Sequence, residues 1–147
     1  IITGDILATA SRNRLDGYLK ACAEAGFEPA KQYLVNGDWS FESGKAQMLN
    51  LLALKDRPDG VFVANDLMAR GAIAAIEDAG FSCPEDIRVV GFDDSVLAQT
   101  SRPHLTSVRQ DIVGLGETAA SVMVSLLNGE KPEPVILPTE LIVRESS

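Results

Sequence analysis

The chain has 147 residues, of which 46% are hydrophobic and 23% charged, the balance of one ordinary globular domain. Its formal net charge of −8, from 13 basic and 21 acidic residues, argues against direct binding of nucleic acid, which depends on clustered lysine and arginine. No apolar run approaches the roughly 20 residues of a membrane-spanning helix, so we expect no membrane partner.

Short β-rich runs alternate with helical stretches from Ile1 to Leu97. Strands are predicted at residues 1–4, 32–35, 60–64 and 87–92 from their apolar, β-branched and aromatic content. The helices predicted between them include one after a loop that ends at Ser11, one capped by Ser40, and one capped by Asn65 that stops at Gly80. This alternation predicts an α/β fold: a three-layer lobe whose parallel sheet is covered on both faces.

The pattern changes after Leu97. Residues 103–110 are predicted to be extended, and residues 115–127 to form a helix that Asn128 and Gly129 end. Two short strands are predicted at residues 135–137 and 140–143, on either side of Pro138.

Hydrogen-bonding side chains follow five of the β-rich runs. Ligands of open α/β sheets bind at the carboxyl ends of the strands, so we expect these side chains along one edge. One polar residue after a strand is usually a turn or a helix cap, whereas five such ends indicate a binding site. Arginine donates, carboxylates accept and amides do both, which suits a ligand rich in hydroxyl groups. The residues are Asp5, Arg14, Asp38, Trp39, Asn65, Asp66, Asp93, Asp94, Arg109, Gln110 and Asp111.

Trp39, the only tryptophan, lies in a polar turn of sequence GDWS. Its ring could cover the core from a loop, or it could offer an apolar platform to the face of a sugar or a base. The spacing alone leaves both interpretations open.

Enzymatic and metal-binding chemistry find little support. The chain lacks the G-x-S-x-G, G-x-x-x-x-G-K and G-x-G-x-x-G motifs, and its only histidine, His104, has no obvious nucleophile. Cys22 and Cys83 form no C-x-x-C pair, so we interpret both as structural, with Cys22 as a small buried hydrophobe. We therefore expect no enzymatic activity, no metal and no cofactor.

Five segments resemble motifs of the LacI/GalR family of transcription regulators. Residues 63–72 read VANDLMARGA, similar to the family pattern V-x-N-D-x-x-A-x-G-A. Residues 84–94 read PEDIRVVGFDD and residues 102–110 read RPHLTSVRQ, and both resemble family segments almost throughout. The runs RLDGY at 14–18 and GDWS at 37–40 match two more. The resemblance covers essentially the whole chain in one order.

That resemblance implies the effector-binding core of such a regulator, which has the type I periplasmic-binding-protein fold. Residues 1–107 and 132–147 would build its C-terminal lobe, and residues 108–131 a crossing segment and helix that belong to an otherwise absent N-terminal lobe. Because the chain begins at Ile1 without a methionine, we interpret it as a fragment. The resemblance then implies that the DNA-binding domain is among the missing parts. The implied protein is cytoplasmic and reaches operator DNA only through that absent domain. It is also a homodimer through the C-terminal lobe, for which we considered the apolar helix face of Met68, Ile73 and Ile76.

The resemblance also assigns the ligand site residue by residue. Arg14 matches the arginine that holds ligand hydroxyls or carboxylates, Trp39 the stacking aromatic, and Asp93 the carboxylate that accepts from sugar hydroxyls. Asn65 and Gln110 match further ligand-facing positions. We expect Arg14 to hold Asp93 ionised. Family residues that capping or close packing would explain are Asp66, Gly71 and Asp94.

The expected effector is a small molecule, with a sugar or sugar derivative favoured by Arg14, Trp39 and Asp93. Regulators that sense nucleobases share much of this framework, so that alternative stays open. A secreted sugar-binding component of a transporter, with the same fold, is the alternative from another class of protein.

Overall fold

The computed structural model describes residues 1–147 as an α/β lobe, and the predicted fold class is confirmed. Its strands are β1 (Ile2–Thr3), β2 (Val35–Asn36), β3 (Gly60–Phe62), β4 (Arg88–Asp93), β5 (Thr106–Gln110) and β6 (Thr139–Ile142). Its helices are α1 (Thr9–Glu24), α2 (Phe41–Leu52), α3 (Asp66–Asp78), α4 (Val96–Thr100) and α5 (Ile112–Leu127), with a 3-10 turn at Lys31–Tyr33. None of these helices combines the length and apolar character needed to cross a membrane.

The six strands run side by side in the order β2-β1-β3-β4-β5-β6. Two sheets, β1-β2 and β3-β4-β5-β6, meet through the parallel bridge between Ile2 and Val63. All pairs are parallel except β5 with β6, which is antiparallel. The carboxyl ends of β1 to β5 therefore meet at one edge of the sheet.

Helices α2 and α3 cover one face of the sheet and cross each other closely. A Cβ added at Gly71 would lie 2.1 Å from the carbonyl oxygen of Phe41, and one at Gly44 would lie 2.2 Å from that of Met68. Glycine at both positions lets the two backbones touch, which confirms close packing as the role of Gly71. The buried core beneath includes Ile2, Met48, Leu51, Val63, Met68, Ile73, Ile76, Val89 and Leu105.

The candidate dimer face of α3 is wrong. Met68, Ile73 and Ile76 are each 0% exposed, because this face of the helix packs against the sheet and α2 of its own chain. These side chains therefore cannot form a dimer contact.

Helix α1 lies over the opposite face of the sheet. Gly91 faces α3, since a Cβ there would approach Asp66, and the next residue of β4, Phe92, faces the other way and contacts Arg14 of α1. Cys22 is buried on α1, as predicted.

Helix α5 contributes nothing to the core. None of its 16 residues is buried, and its apolar side chains stand largely in solvent. Ile112, Val113, Leu115, Met123, Val124, Leu126 and Leu127 are each more than half exposed.

One predicted strand is shifted along the chain, and another does not form. Residues 31–33, assigned partly to a strand, form the 3-10 turn, and β2 begins only at Val35, where the chain reaches β1. Residues 135–137 form no strand, since prolines 132, 134 and 138 around them have no N–H to donate and Ile136 is 92% exposed. Helix α1 also begins earlier than predicted, at Thr9 instead of after Ser11.

Candidate functional site

The five predicted site residues come together at the carboxyl edge of the sheet. They reach it from α1, the loops after β2 and β3, the end of β4 and the end of β5. Contacts between the side chains or backbones link all five into one cluster, formed by Arg14, Trp39, Asn65, Asp93 and Gln110.

Arg14 contacts four neighbours that hold it in place. Its guanidinium donates to the carbonyl oxygen of Ala64 at 3.1 Å and lies 3.9 Å from Oδ1 of Asp93. The same group stacks over the ring of Phe92, 3.8 Å from its centroid, and lies 5.5 Å from that of Trp39. The aromatic faces attract the cation and fix its orientation at the site.

Asp93 uses only one of its two carboxylate oxygens within the protein. Gln110 donates from Nε2 to Oδ1 at 2.8 Å, and this is also the oxygen nearest Arg14. Oδ2 has no protein partner, so it remains free to accept a hydrogen bond from a ligand. The backbone of Asp93 has φ 109, a left-handed conformation that turns this side chain at the end of β4.

Burial and neighbouring charges act on Asp93 in opposite directions. Burial raises the pKa of Asp93 above its ordinary value of 3.8, while Arg14 and Gln110 lower it and Asp66 raises it further. Arg14 does favour the ionised form, as expected, but desolvation outweighs it. Burial likewise lowers the pKa of Arg14, and Asp93 opposes that shift.

Trp39 covers part of the core and keeps part of its surface exposed. The ring lies directly on the backbone of Gly4, at the end of β1, where an added Cβ would come within 2.2 Å of the indole. It also packs against the core while remaining partly exposed beside Arg14. Its φ of 74 is left-handed, and the amide of Asn65 donates to its carbonyl oxygen at 3.1 Å.

The side chain of Asn65 makes two hydrogen bonds within the chain. Its Oδ1 accepts from the backbone N–H of Met68 and caps α3, as predicted, while Nδ2 holds the carbonyl of Trp39. An amide nitrogen has two N–H donors, so one stays available for a ligand. Among the other strand-end polar residues, Asp5, Asp38 and Asp111 accept hydrogen bonds in turns and at helix starts.

Capping does not explain Asp66 or Asp94. Asp66 is buried and accepts from the backbone and hydroxyl of Ser95 and from the hydroxyl of Ser107, at 2.6 to 2.8 Å. Asp94 has a side chain only 1% exposed and is paired with Arg109 and Arg144, each at 2.6 Å. Both carboxylates join separate segments of the chain around the site.

Phe92 is a site residue that sequence reasoning missed. It lies in the apolar run of β4 next to Asp93, so composition marked it as core, although strand alternation would have placed it opposite Gly91. With Arg14, Phe62 and Tyr18 it lines an open groove of about 440 Å³ beside α1.

The site combines polar groups with aromatic faces. A guanidinium, a free carboxylate oxygen, amide groups and two aromatic faces are suited to orienting hydroxyl groups and an apolar ring face. Another cavity, of about 340 Å³, opens at the opposite edge of the sheet among mainly apolar residues such as Phe27 and Val61. The polar groups therefore indicate the carboxyl edge, and not this apolar cavity, as the candidate site for a polar ligand. No group of three or more potential metal ligands occurs in the chain.

Comparisons with known proteins agree on one family. Residues 1–147 match the model of the periplasmic binding protein-like domain. The chain is 40% identical over 147 residues to the HTH-type transcriptional regulator CelR of Thermobifida fusca, covering 99% of this chain and 43% of that protein. It resembles the structure of the transcriptional regulator CelR–cellobiose complex, with a TM-score of 0.93, 40% identity, and coverage of 99% of this chain and 45% of that one. It also resembles the lac repressor dimer bound to operator and the anti-inducer ONPF, with a TM-score of 0.93, 33% identity, and coverage of 99% and 44%. The chain thus spans less than half the length of these relatives.

Proposed function

Because this chain belongs to the periplasmic-binding-protein-like effector domains of the LacI/GalR transcription regulators, we propose that it is the ligand-sensing part of such a regulator. It binds a small molecule at the carboxyl edge of its sheet and so modulates DNA binding by a separate helix-turn-helix domain. The protein works in the cytoplasm and is not an enzyme. The relatives named above are transcription regulators, which favours this function over a component of a transporter.

One observation carries the proposal: Arg14 and Gln110 converge on the same oxygen of Asp93. Gln110 donates to Oδ1 at 2.8 Å and Arg14 lies 3.9 Å from it, while Oδ2 has no protein partner. The unused oxygen and the arginine together can accept from and donate to neighbouring hydroxyl groups of one ligand.

The effector that fits this chemistry best is a sugar or sugar derivative. Trp39 and Phe92 flank Arg14 with aromatic faces, on which the apolar face of a sugar ring stacks, while its hydroxyls meet Asp93. The relative solved with cellobiose supports the same class of ligand.

The exposure of the apolar side chains of α5 supports the lobe division predicted from the sequence. Residues 1–107 and 132–147 form the C-terminal lobe, and residues 108–131 cross to an N-terminal lobe outside this chain, although β5 keeps its pairing with β4 and β6 as far as Gln110. The exposed apolar side chains of α5 then pack on that second lobe, because a stable protein rarely leaves such a surface in water.

The regulator is a homodimer through this lobe. With the core face of α3 excluded, the contact uses the exposed apolar residues at the start of α3 and on α4. Leu67, Val96 and Leu97 are 41%, 74% and 41% exposed, and the bonds from Ser95 to Asp66 keep the two helix starts together. Among the relatives, the lac repressor is described as a dimer.

The proposed function is tested directly by measuring whether a small molecule makes the full-length protein release or bind DNA. The full-length protein is titrated onto a fluorescent fragment of its own upstream region, and sugars, sugar derivatives and nucleobases are then added one at a time. A sugar that shifts the DNA affinity at least tenfold supports the proposal. If only nucleobases shift the DNA affinity, the ligand is a nucleobase and not a sugar. If the protein binds no DNA at all, its assignment as a transcription regulator is wrong.

A further inference from the structure

Two consecutive residues at the end of β4 adopt left-handed backbone conformations. Asp93 has φ 109 and Asp94 has φ 50, although neither is glycine. Such conformations persist only where surrounding contacts hold them, and they occur often at ligand sites. The contacts that hold this turn therefore decide where the carboxylate of Asp93 points.

Most of those contacts are made by Asp94. Its Oδ2 accepts from Nε of Arg109 and its Oδ1 from a guanidinium nitrogen of Arg144, both at 2.6 Å. Arg109 belongs to β5, and Arg144 follows β6 and also donates to the carbonyl of Leu105. The turn is thus tied to the two strands that lead to and from α5.

The backbone of the turn is fixed as well. The N–H of Asp94 donates to the hydroxyl of Ser107 at 3.0 Å, and that hydroxyl donates to Asp66 at 2.6 Å. Asp66 in turn accepts from the N–H and hydroxyl of Ser95. The N–H of Asp94 and the next residue, Ser95, are both held by hydrogen bonds. The backbone of Asp94 therefore cannot rotate without breaking them.

The last two residues of β5 each donate a hydrogen bond to a different one of the two aspartates. Side chains alternate along a strand, so Arg109 and Gln110 point to opposite sides. Arg109 bonds to Asp94 and Gln110 bonds to Asp93. Because Asp93 and Asp94 are consecutive in one turn, we expect loss of the bond between Arg109 and Asp94 to alter the geometry between Asp93 and Gln110.

We propose that Asp94, gripped by Arg109 and Arg144, is a positioning residue for the effector site. It holds the turn so that Asp93 meets Gln110 and Arg14 with Oδ2 left free. This rests on the proposed function, since it assigns Asp94 a role in binding the same ligand through Asp93.

The test is a double-mutant cycle in effector affinity, measured by calorimetry on the full-length protein. Asp94→Ala should weaken binding roughly tenfold, and Asp94→Asn less, because asparagine tolerates the left-handed conformation and keeps an acceptor. In the Asp93→Asn background the loss from Asp94→Ala should shrink to less than twofold, because Asp94 acts through Asp93. The matched control is Asp78→Ala, which removes the 2.6 Å pair with Lys45 away from the site and should leave affinity unchanged.

Full affinity in Asp94→Ala, or an equal loss with and without Asp93, would overturn the positioning role while leaving the proposed function intact. If Asp94→Ala does not fold, Arg109→Met removes one of the two ion pairs of Asp94 at a partly exposed position. This variant should also weaken effector binding, and the loss should again shrink in the Asp93→Asn background. If the wild-type protein binds no compound of the panel, the proposed function fails instead. A crystal structure of the Asp94→Ala variant without ligand then decides the geometry: the role is refuted if Asp93 keeps its φ and its bond to Gln110.

Discussion

Gln110 donates to Oδ1 of Asp93 at 2.8 Å, and so joins the end of β5 to the end of β4 at the ligand edge of the sheet. The two residues are 17 positions apart in sequence. Because Gln110 lies within the crossing segment 108–131, two residues before α5, we expect a ligand that completes this contact to act on that segment. The contact therefore connects ligand binding with the part of the chain that we assign to the second lobe.

Asp93→Asn should increase stability at neutral pH. Burial raises the pKa of Asp93 above 3.8, so protonation is easier in the folded than in the unfolded chain, and the ionised group destabilises the fold at higher pH. Wild type and variant should have equal unfolding free energies below the unfolded pKa. The variant's advantage should grow as the pH rises through the folded pKa and then level off. Urea unfolding at a series of pH values measures this, and an advantage for the wild type at pH 7 would contradict it.

Trp39→Ala should weaken effector binding by about 1 kcal/mol, roughly fivefold, since the stacking surface is lost. The order of preference among sugars should remain, because Asp93 and Arg14 still read the hydroxyl groups. Calorimetry with several sugars tests this, with Trp39→Phe as the variant that retains a ring. An unchanged affinity would make Trp39 a cover for the core alone.

Gly71→Ala should destabilise the chain by about 1 to 3 kcal/mol, because the new methyl group would meet the backbone of α2 at 2.1 Å. The control is Gly17→Ala in α1, where nothing lies within 4 Å of the added methyl group. That change should stabilise by about 0.5 to 1 kcal/mol through helix propensity. Chemical denaturation of both variants measures the difference, and equal effects would refute the close crossing of α2 and α3.

Val96→Lys should convert the dimer to a monomer, because Val96 is 74% exposed in the proposed contact. Phe27→Lys, a change of similar chemistry at a side chain 54% exposed near the opposite edge of the sheet, should leave the dimer intact. Sedimentation equilibrium of the full-length protein at micromolar concentration distinguishes the two. A dimer that survives Val96→Lys would place the contact elsewhere.

The order of strands and helices was predictable because the apolar periods are strong, and Ser40 and Asn65 cap their helices as their positions indicate. The sequence could not show that residues 135–137 lack a neighbouring strand, since pairing depends on distant segments. It also could not separate the core face of α3 from a dimer face, because both are apolar. At the site, the resemblance to the family assigned Arg14 and Asp93, whereas the contacts of Phe92 and Asp94 depend on which side of a strand or turn each residue faces.

The most direct test of the site is calorimetry of the full-length protein and its Asp93→Asn variant across a panel of sugars. The substitution keeps the shape of the side chain but replaces an acceptor with a donor. Loss of a charged hydrogen bond to the ligand costs about 1.5 to 3 kcal/mol, so the affinity for the true effector should fall roughly ten- to a hundredfold. Asp56→Asn, at an exposed aspartate before β3, is the control and should bind as the wild type does. An Asp93→Asn variant with unchanged affinity for the effector would contradict the assignment of the ligand site to this edge of the sheet.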